Sequence, residues 1–110
     1  VGETIADVSR RVVERADVRW DEGTDGRITV RRRRYGAVRA RVAAMAGVPA
    51  DFTVHLDPLG SAAWHLIDGV RTVADLRREL ERTHPAEGDL GPRVGKFVGA
   101  MLSHEMIRLL

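Results

Sequence analysis

A chain of 110 residues with 44% hydrophobic content is long enough for one small domain with a single modest core. Its formal charge of +2 hides an asymmetry: residues 1 to 48 hold eleven arginines against seven acids, whereas residues 49 to 110 hold seven basic against nine acidic residues. Cysteine is absent, which excludes disulfides, thiolate metal sites and iron–sulfur clusters held by this chain, and no apolar run approaches the ~20 residues of a membrane span. With no visible signal peptide, a cytoplasmic location is the default. The basic half either faces an acidic partner or decorates a solvated surface.

Residues 1 to 17 are polar, with Ile5, Val8, Val12 and Val13 loosely spaced for a helix and no convincing cap. They read as an N-terminal arm or short helix ahead of a domain over residues 18 to 110. Val18 to Trp20 and Arg27 to Arg34 read as two strands of a hairpin, because Asp25-Gly26 can take the positive φ that such turns demand. In the second strand Ile28 and Val30 share one face, and Thr29, Arg31 and Arg33 point to water. The run Arg31 to Arg34 invites phosphate contact, but a strand splits it between two faces and only Tyr35 adds an aromatic nearby. Ala37 to Ala46, with Val38, Val42 and Met45 at helical spacing, suits a short amphipathic helix ended by Gly47 and Pro49. Phe52, Val54 and Leu56 then alternate with Thr53, His55 and Asp57 as a half-buried strand.

Asp57 can cap a helix whose first position is Pro58, where the missing N–H costs nothing. Leu59, Ala62, Ala63, Leu66 and Ile67 give it an apolar stripe, Trp64 widens the stripe, and Asp68-Gly69 supplies a left-handed stop. Thr72 and Asp75 form a capping box with Asp in the usual place of Glu, opening a helix that buries Val73, Leu76 and Leu80. Pro85 and Gly88 break the chain. Asp89 or Gly91 caps a last helix with Pro92 in its first turn and Val94, Phe97, Val98, Met101 and Leu102 as its core stripe. Gly95, Gly99 and Met106 extend that arc to about 200°, beyond the ~100° a core needs. The inserted helix, a second protomer or a bound peptide could cover the excess. The two glycines cost about 1 kcal/mol each against alanine, which makes sense where a backbone must approach closely. Ile107 to Leu110 reads as an apolar end tucked against the domain. The elements add up to an α+β, winged-helix-like domain: a three-stranded antiparallel sheet followed by three helices, with an inserted short helix at residues 37 to 47 between strands two and three.

Sites for chemistry are missing from the pattern. His55, His65, His84 and His104 are dispersed without His-x-x-x-His spacing, so no metal is expected. No glycine-rich phosphate loop or Gly-x-Ser-x-Gly elbow occurs, and Ser9, Ser61 and Ser103 lack a recognisable base nearby. Neither a cofactor nor catalysis by this domain is expected.

Leu56-Asp57, Gly60, Trp64, Leu66, Asp68-Gly69 and Thr72-Val73 together resemble the PqqD family, named from pyrroloquinoline quinone biosynthesis and also called precursor-peptide recognition elements. The resemblance runs over residues 18 to 107, weakly at first and well from Phe52. The chain departs from it in the inserted segment 37 to 47, and in His104-Glu105-Met106 where the family more often turns through a glycine. The resemblance implies a non-catalytic peptide-binding chaperone. It would bind the leader of a ribosomally made precursor peptide by strand addition and present it to a separate modifying enzyme, often a radical S-adenosylmethionine protein. Carried onto this chain, the peptide edge is Thr53, Val54, His55 and Leu56, and the groove wall is Val94, Phe97, Val98, Met101 and Leu102. Phe97 and Val98 read equally well as core, and His55 equally well as a solvated strand residue.

Two alternatives stand beside this expectation. A DNA-binding winged helix would use residues 72 to 83 and 91 to 105 as its helix pair and Arg31 to Arg34 on a wing. Its weakness is that the last helix offers only Arg93, Lys96 and Arg108 as base-reading donors. A structural domain or weak homodimer would instead use the wide apolar arc.

Overall fold

The computed structural model describes residues 8–33 and 51–110. After a helical turn at Val8 and Ser9 come β1 (Val13–Arg15), β2 (Arg19–Glu22), β3 (Ile28–Arg33) and β4 (Asp51–His55). Three helices follow, α1 (Pro58–Leu66), α2 (Val73–Thr83) and α3 (Gly91–Ser103), with a 3₁₀ turn at Pro85–Glu87, and β5 (Ile107–Leu109) closes the series. The class is α+β with antiparallel sheets. The inserted helix expected at residues 37 to 47, with its basic surroundings, lies outside the described residues.

The hairpin forms where the Asp25-Gly26 pair predicts it. Gly26 sits at φ +80°, its N–H reaches the Gly23 carbonyl at 3.0 Å, and the Asp25 carboxylate accepts the Arg27 N–H at 3.1 Å. Strand order is β2-β3-β4. Ile28 and Val30 are fully buried beneath the helices, while Arg31 points to the solvated face and pairs with Asp21. Arg32 falls on the helix side and pairs with Glu105, so the pleat sets Arg31 and Arg32 on opposite faces.

Three strands followed by three helices is an incomplete description. β1 and β5 form a second, two-stranded antiparallel sheet, with Val13 opposite Leu109 and Arg15 opposite Ile107. The other edge of β1 is held by the α1–α2 connection: Gly69 donates to the Val13 carbonyl and Val13 to the Arg71 carbonyl, each at 3.0 Å. Residues 13 to 15, read from sequence as part of an arm, are thus a strand pinned on both sides. Burial explains it, since Val13, Met106 and Ile107 are almost completely withdrawn from water.

The starts of α1 and α2 follow the capping chemistry, whereas neither Asp89 nor Gly91 caps α3. Its N-cap is Leu90, with no side-chain cap, and Asp89 only accepts the Gly91 N–H at 2.9 Å. α1 leaves through extended Ile67, ahead of the Asp68-Gly69 pair expected to stop it. The Asp57 carboxylate accepts the Gly60 N–H at 2.6 Å, with Pro58 in the first turn, and Gly69 takes φ +79° after the helix stops. Both bonds of the Thr72–Asp75 capping box are present, at 3.1 and 3.0 Å. α3 ends in a Schellman motif, with Glu105 N–H on the Leu102 carbonyl at 3.0 Å and Met106 N–H on Met101 at 2.8 Å. The left-handed residue is Glu105, at φ +56°. Met106 therefore lies past the helix and inside the core rather than on the helical arc. Gly95 and Gly99 are exposed, and a Cβ at either would meet no atom within 4 Å. Among the described residues no backbone approaches them.

Candidate functional site

β4 has β3 on one side and, among the described residues, no strand on the other. Which of its groups face outward follows from antiparallel alternation. Leu56 N–H donates to the Ile28 carbonyl at 2.9 Å, so Leu56, Val54 and Phe52 turn their peptide groups toward β3. The edge left unpaired among the described residues is therefore presented by the N–H and C=O of Thr53 and His55. The predicted set of four edge residues divides accordingly. Thr53 and His55 contribute outward backbone, and their exposed side chains lie on the solvated face, where His55 Nδ1 is 3.2 Å from Thr29 Oγ1. Val54 is half-buried, and Leu56, 6% exposed, belongs to the core.

The end of β4 is locked by a residue of α1. Ser61 is 3% exposed, and its Oγ accepts the Ile28 N–H at 2.8 Å, a bond that a regular ladder would give to Leu56. The freed Leu56 carbonyl accepts Arg27 Nε at 3.1 Å. α1 is thereby fixed against the sheet where the chain turns into its cap.

α3 runs alongside β4 in the opposite direction. Arg32, opposite Phe52 in register, reaches Glu105 just beyond the C-terminal end of α3, whereas His55, Leu56 and Asp57 meet Val94 and Phe97 near its start. Between them lies a hollow of ≈ 410 Å³ lined by His55, Leu56, Asp57, Leu59, Gly60, Ala63, Leu76, Leu80, Arg93, Val94, Lys96 and Phe97. Gly60 leaves room for the Asp57 cap, since a Cβ there would sit 2.9 Å from Asp57 Oδ1, while the Phe97 ring at 3.6 Å would be in ordinary contact. Of the predicted groove wall, Val94 and Phe97 line this hollow. Val98 and Met101, 3% and 2% exposed, pack in the core, and half-buried Leu102 lies about 140° round the helix from Phe97. Leu59, Ala63, Leu76 and Leu80 also line the hollow, although their sequence spacing points only to the core stripes of their helices. Arg93 and Lys96, one helical turn apart, are the sequence signal that this flank of α3 is charged.

A second cluster stands at the β2 side. The Arg15 guanidinium lies 4.8 Å from the Trp20 ring centroid and 5.3 Å from that of Trp64, and Nη2 donates to the Trp64 carbonyl at 2.8 Å. Burial pulls this guanidinium below its usual value, against the opposing pull of Asp68. Trp64 is fully buried while Trp20 remains 39% exposed, its ring edge-on to Trp64 and to His65, which pairs with Glu22 at 2.5 Å. Among the described residues no three His, Asp or Glu side chains come together as a metal site, and no helix is long and apolar enough to cross a membrane.

The family model for coenzyme PQQ synthesis protein D (PqqD) matches residues 48–107, more than half of the chain. The chain belongs to the PqqD family. The matched stretch contains β4 and all three helices, hence every residue that lines the hollow, while β1, β2 and β3 precede it. No curated protein and no solved structure matches the chain.

Proposed function

We propose that this PqqD-family domain is a non-catalytic carrier that binds the leader of a ribosomally made precursor peptide by strand addition to β4. It holds the leader against α3 and presents it to a separate modifying enzyme, of the radical S-adenosylmethionine type in many family systems. The observation that carries this reading is the β4 edge, unpaired among the described residues, which ends at His55 on an apolar hollow lined by residues of α1, α2 and α3. An extended peptide gains main-chain bonds from the edge, while its alternate side chains turn toward the hollow. The edge offers few such bonds, so much of the affinity must come from side chains that enter the hollow.

The register makes the test specific. Thr53→Pro or His55→Pro removes one outward donor, and edge strands accept proline. Each variant should stay folded and bind leader peptide about 5-fold more weakly, as one net hydrogen bond of about 1 kcal/mol implies. Val54→Pro strikes the inward ladder to β3 and should unfold the sheet. An NMR titration with the leader half of a short peptide encoded beside the protein should shift residues 53 to 57 and 93 to 97. Silence toward that peptide, or unchanged affinity in folded Thr53→Pro and His55→Pro, overturns strand addition. Shifts at Arg31 on adding a DNA duplex would instead favour a winged-helix regulator, a reading weakened by the placement of Arg31 and Arg32 on opposite faces.

A further inference from the structure

The rim of the hollow is charged on one side only in a usable sense. Four ionisable residues line it: His55, Asp57, Arg93 and Lys96. Three are already engaged, His55 with Thr29, Asp57 as the cap that accepts the Gly60 N–H, and Arg93 with Glu87 at 2.9 Å. Lys96 is exposed and, among the described residues, its ammonium has no carboxylate partner. Elsewhere on the helices arginines are matched to nearby acids: Arg77 to Asp89 and Glu81, Arg78 to Asp75, Arg82 to Glu79. The unmatched cation thus stands beside the apolar hollow, one residue before Phe97.

We infer that the site selects a peptide segment in which a large apolar side chain is followed or preceded by a carboxylate, the first entering the hollow and the second resting at Lys96. This rests on the strand-addition reading above and adds the chemistry of the ligand to it. Size fits the apolar anchor: a cavity of about 150 Å³ accommodates a benzene ring, and the hollow of ≈ 410 Å³ is floored by Leu56, Leu59, Leu76, Leu80 and Phe97. Charge sets the neighbour. A carboxylate would complete a pair with Lys96, whereas a lysine or arginine there would face the unmatched Lys96.

The experiment is selection of a displayed library of short random peptides on the wild-type domain and on Lys96→Glu, followed by affinity measurements on the enriched peptides at low and high salt. Lys96 is exposed, so the charge reversal leaves the fold intact. Wild type should enrich an aromatic or large aliphatic residue adjacent to Asp or Glu. Lys96→Glu should bind those peptides about 5- to 10-fold more weakly at low salt, less so at high salt, and recover affinity when the peptide acid is changed to lysine. Enriched peptides with the apolar anchor but no acidic neighbour, or with affinities unmoved by Lys96→Glu, overturn the charge preference while leaving strand addition standing. Failure of the wild type to enrich any peptide, or enriched peptides insensitive to Thr53→Pro and His55→Pro, overturns strand addition itself.

Discussion

Glu105 occupies the left-handed position of the Schellman motif that ends α3, a place where glycine is usual because a Cβ there costs roughly 1–2 kcal/mol. What it gives in return is the ion pair with half-buried Arg32, and such a pair at the surface is worth about 0–1 kcal/mol. Glu105→Gly should therefore raise stability by roughly 1 kcal/mol, read as a higher urea midpoint with an unchanged slope. A lower midpoint would mean that the Arg32 pair outweighs the backbone cost. The same residue shows the limit of reading side chains one at a time. Nothing in the string His104-Glu105-Met106 announces a helix stop, because the stop is made by two backbone bonds and by the burial of Met106 behind them.

Helix starts, in contrast, are written in local chemistry, which is why Asp57-Pro58 and Thr72-x-x-Asp75 placed α1 and α2 correctly. The Asp75 carboxylate is held below the usual carboxylate range, first by the Thr72 backbone N–H and then by Arg78. Asp68 is lowered likewise by the N–H groups of Arg71 and Val70. A depressed folded-state value contributes stability above the ordinary carboxylate value, and that contribution is lost as pH falls through the folded one. Urea midpoints should fall on acidification toward about pH 3. Asp75→Asn, whose side-chain oxygen can still accept the Thr72 N–H, should show a shallower fall than wild type; an equal fall would place the acid sensitivity elsewhere. Short strands were less legible than helices. Three residues cannot display alternation, so Val13–Arg15 and Ile107–Leu109 carry no period of their own, and only their pairing reveals them. The edge register was hidden for a related reason: alternation of side chains separates Val54 from Thr53, but only the Leu56 to Ile28 bond decides which of them turns its N–H outward.

At the scale of the molecule, β1 joins three stretches far apart in sequence, pairing with β5 and with the α1–α2 connection while Val13 enters the core. Arg11 adds to the clasp by donating to the Leu109 carbonyl at 2.8 Å and the Leu110 carbonyl at 3.2 Å. The hollow shares this core through Leu76 and Leu80, so its shape depends on the clasp. Val13→Ala should cost about 2 kcal/mol in overall stability, with melts followed by far-UV signal and by tryptophan fluorescence coinciding; separate transitions would show that the domain does not unfold as one unit. Sequence reading placed α1, α2, α3 and the β2-β3-β4 sheet, and missed the clasp because its members are joined by distance in the chain rather than by pattern.

The clasp also bears on the order of folding. Arg11 and Leu109 are 98 positions apart, so bringing them together carries a large loop-closure cost that the hairpin and the helix caps do not. Once the helices have packed on the sheet, that loop is already shortened, which predicts that β1–β5 pairing closes last. Substitutions in β1 and β5 should then leave the refolding rate nearly unchanged and speed unfolding, giving φ-values near zero. The strand pair acts as a latch, governing how long the folded domain persists rather than how fast it forms.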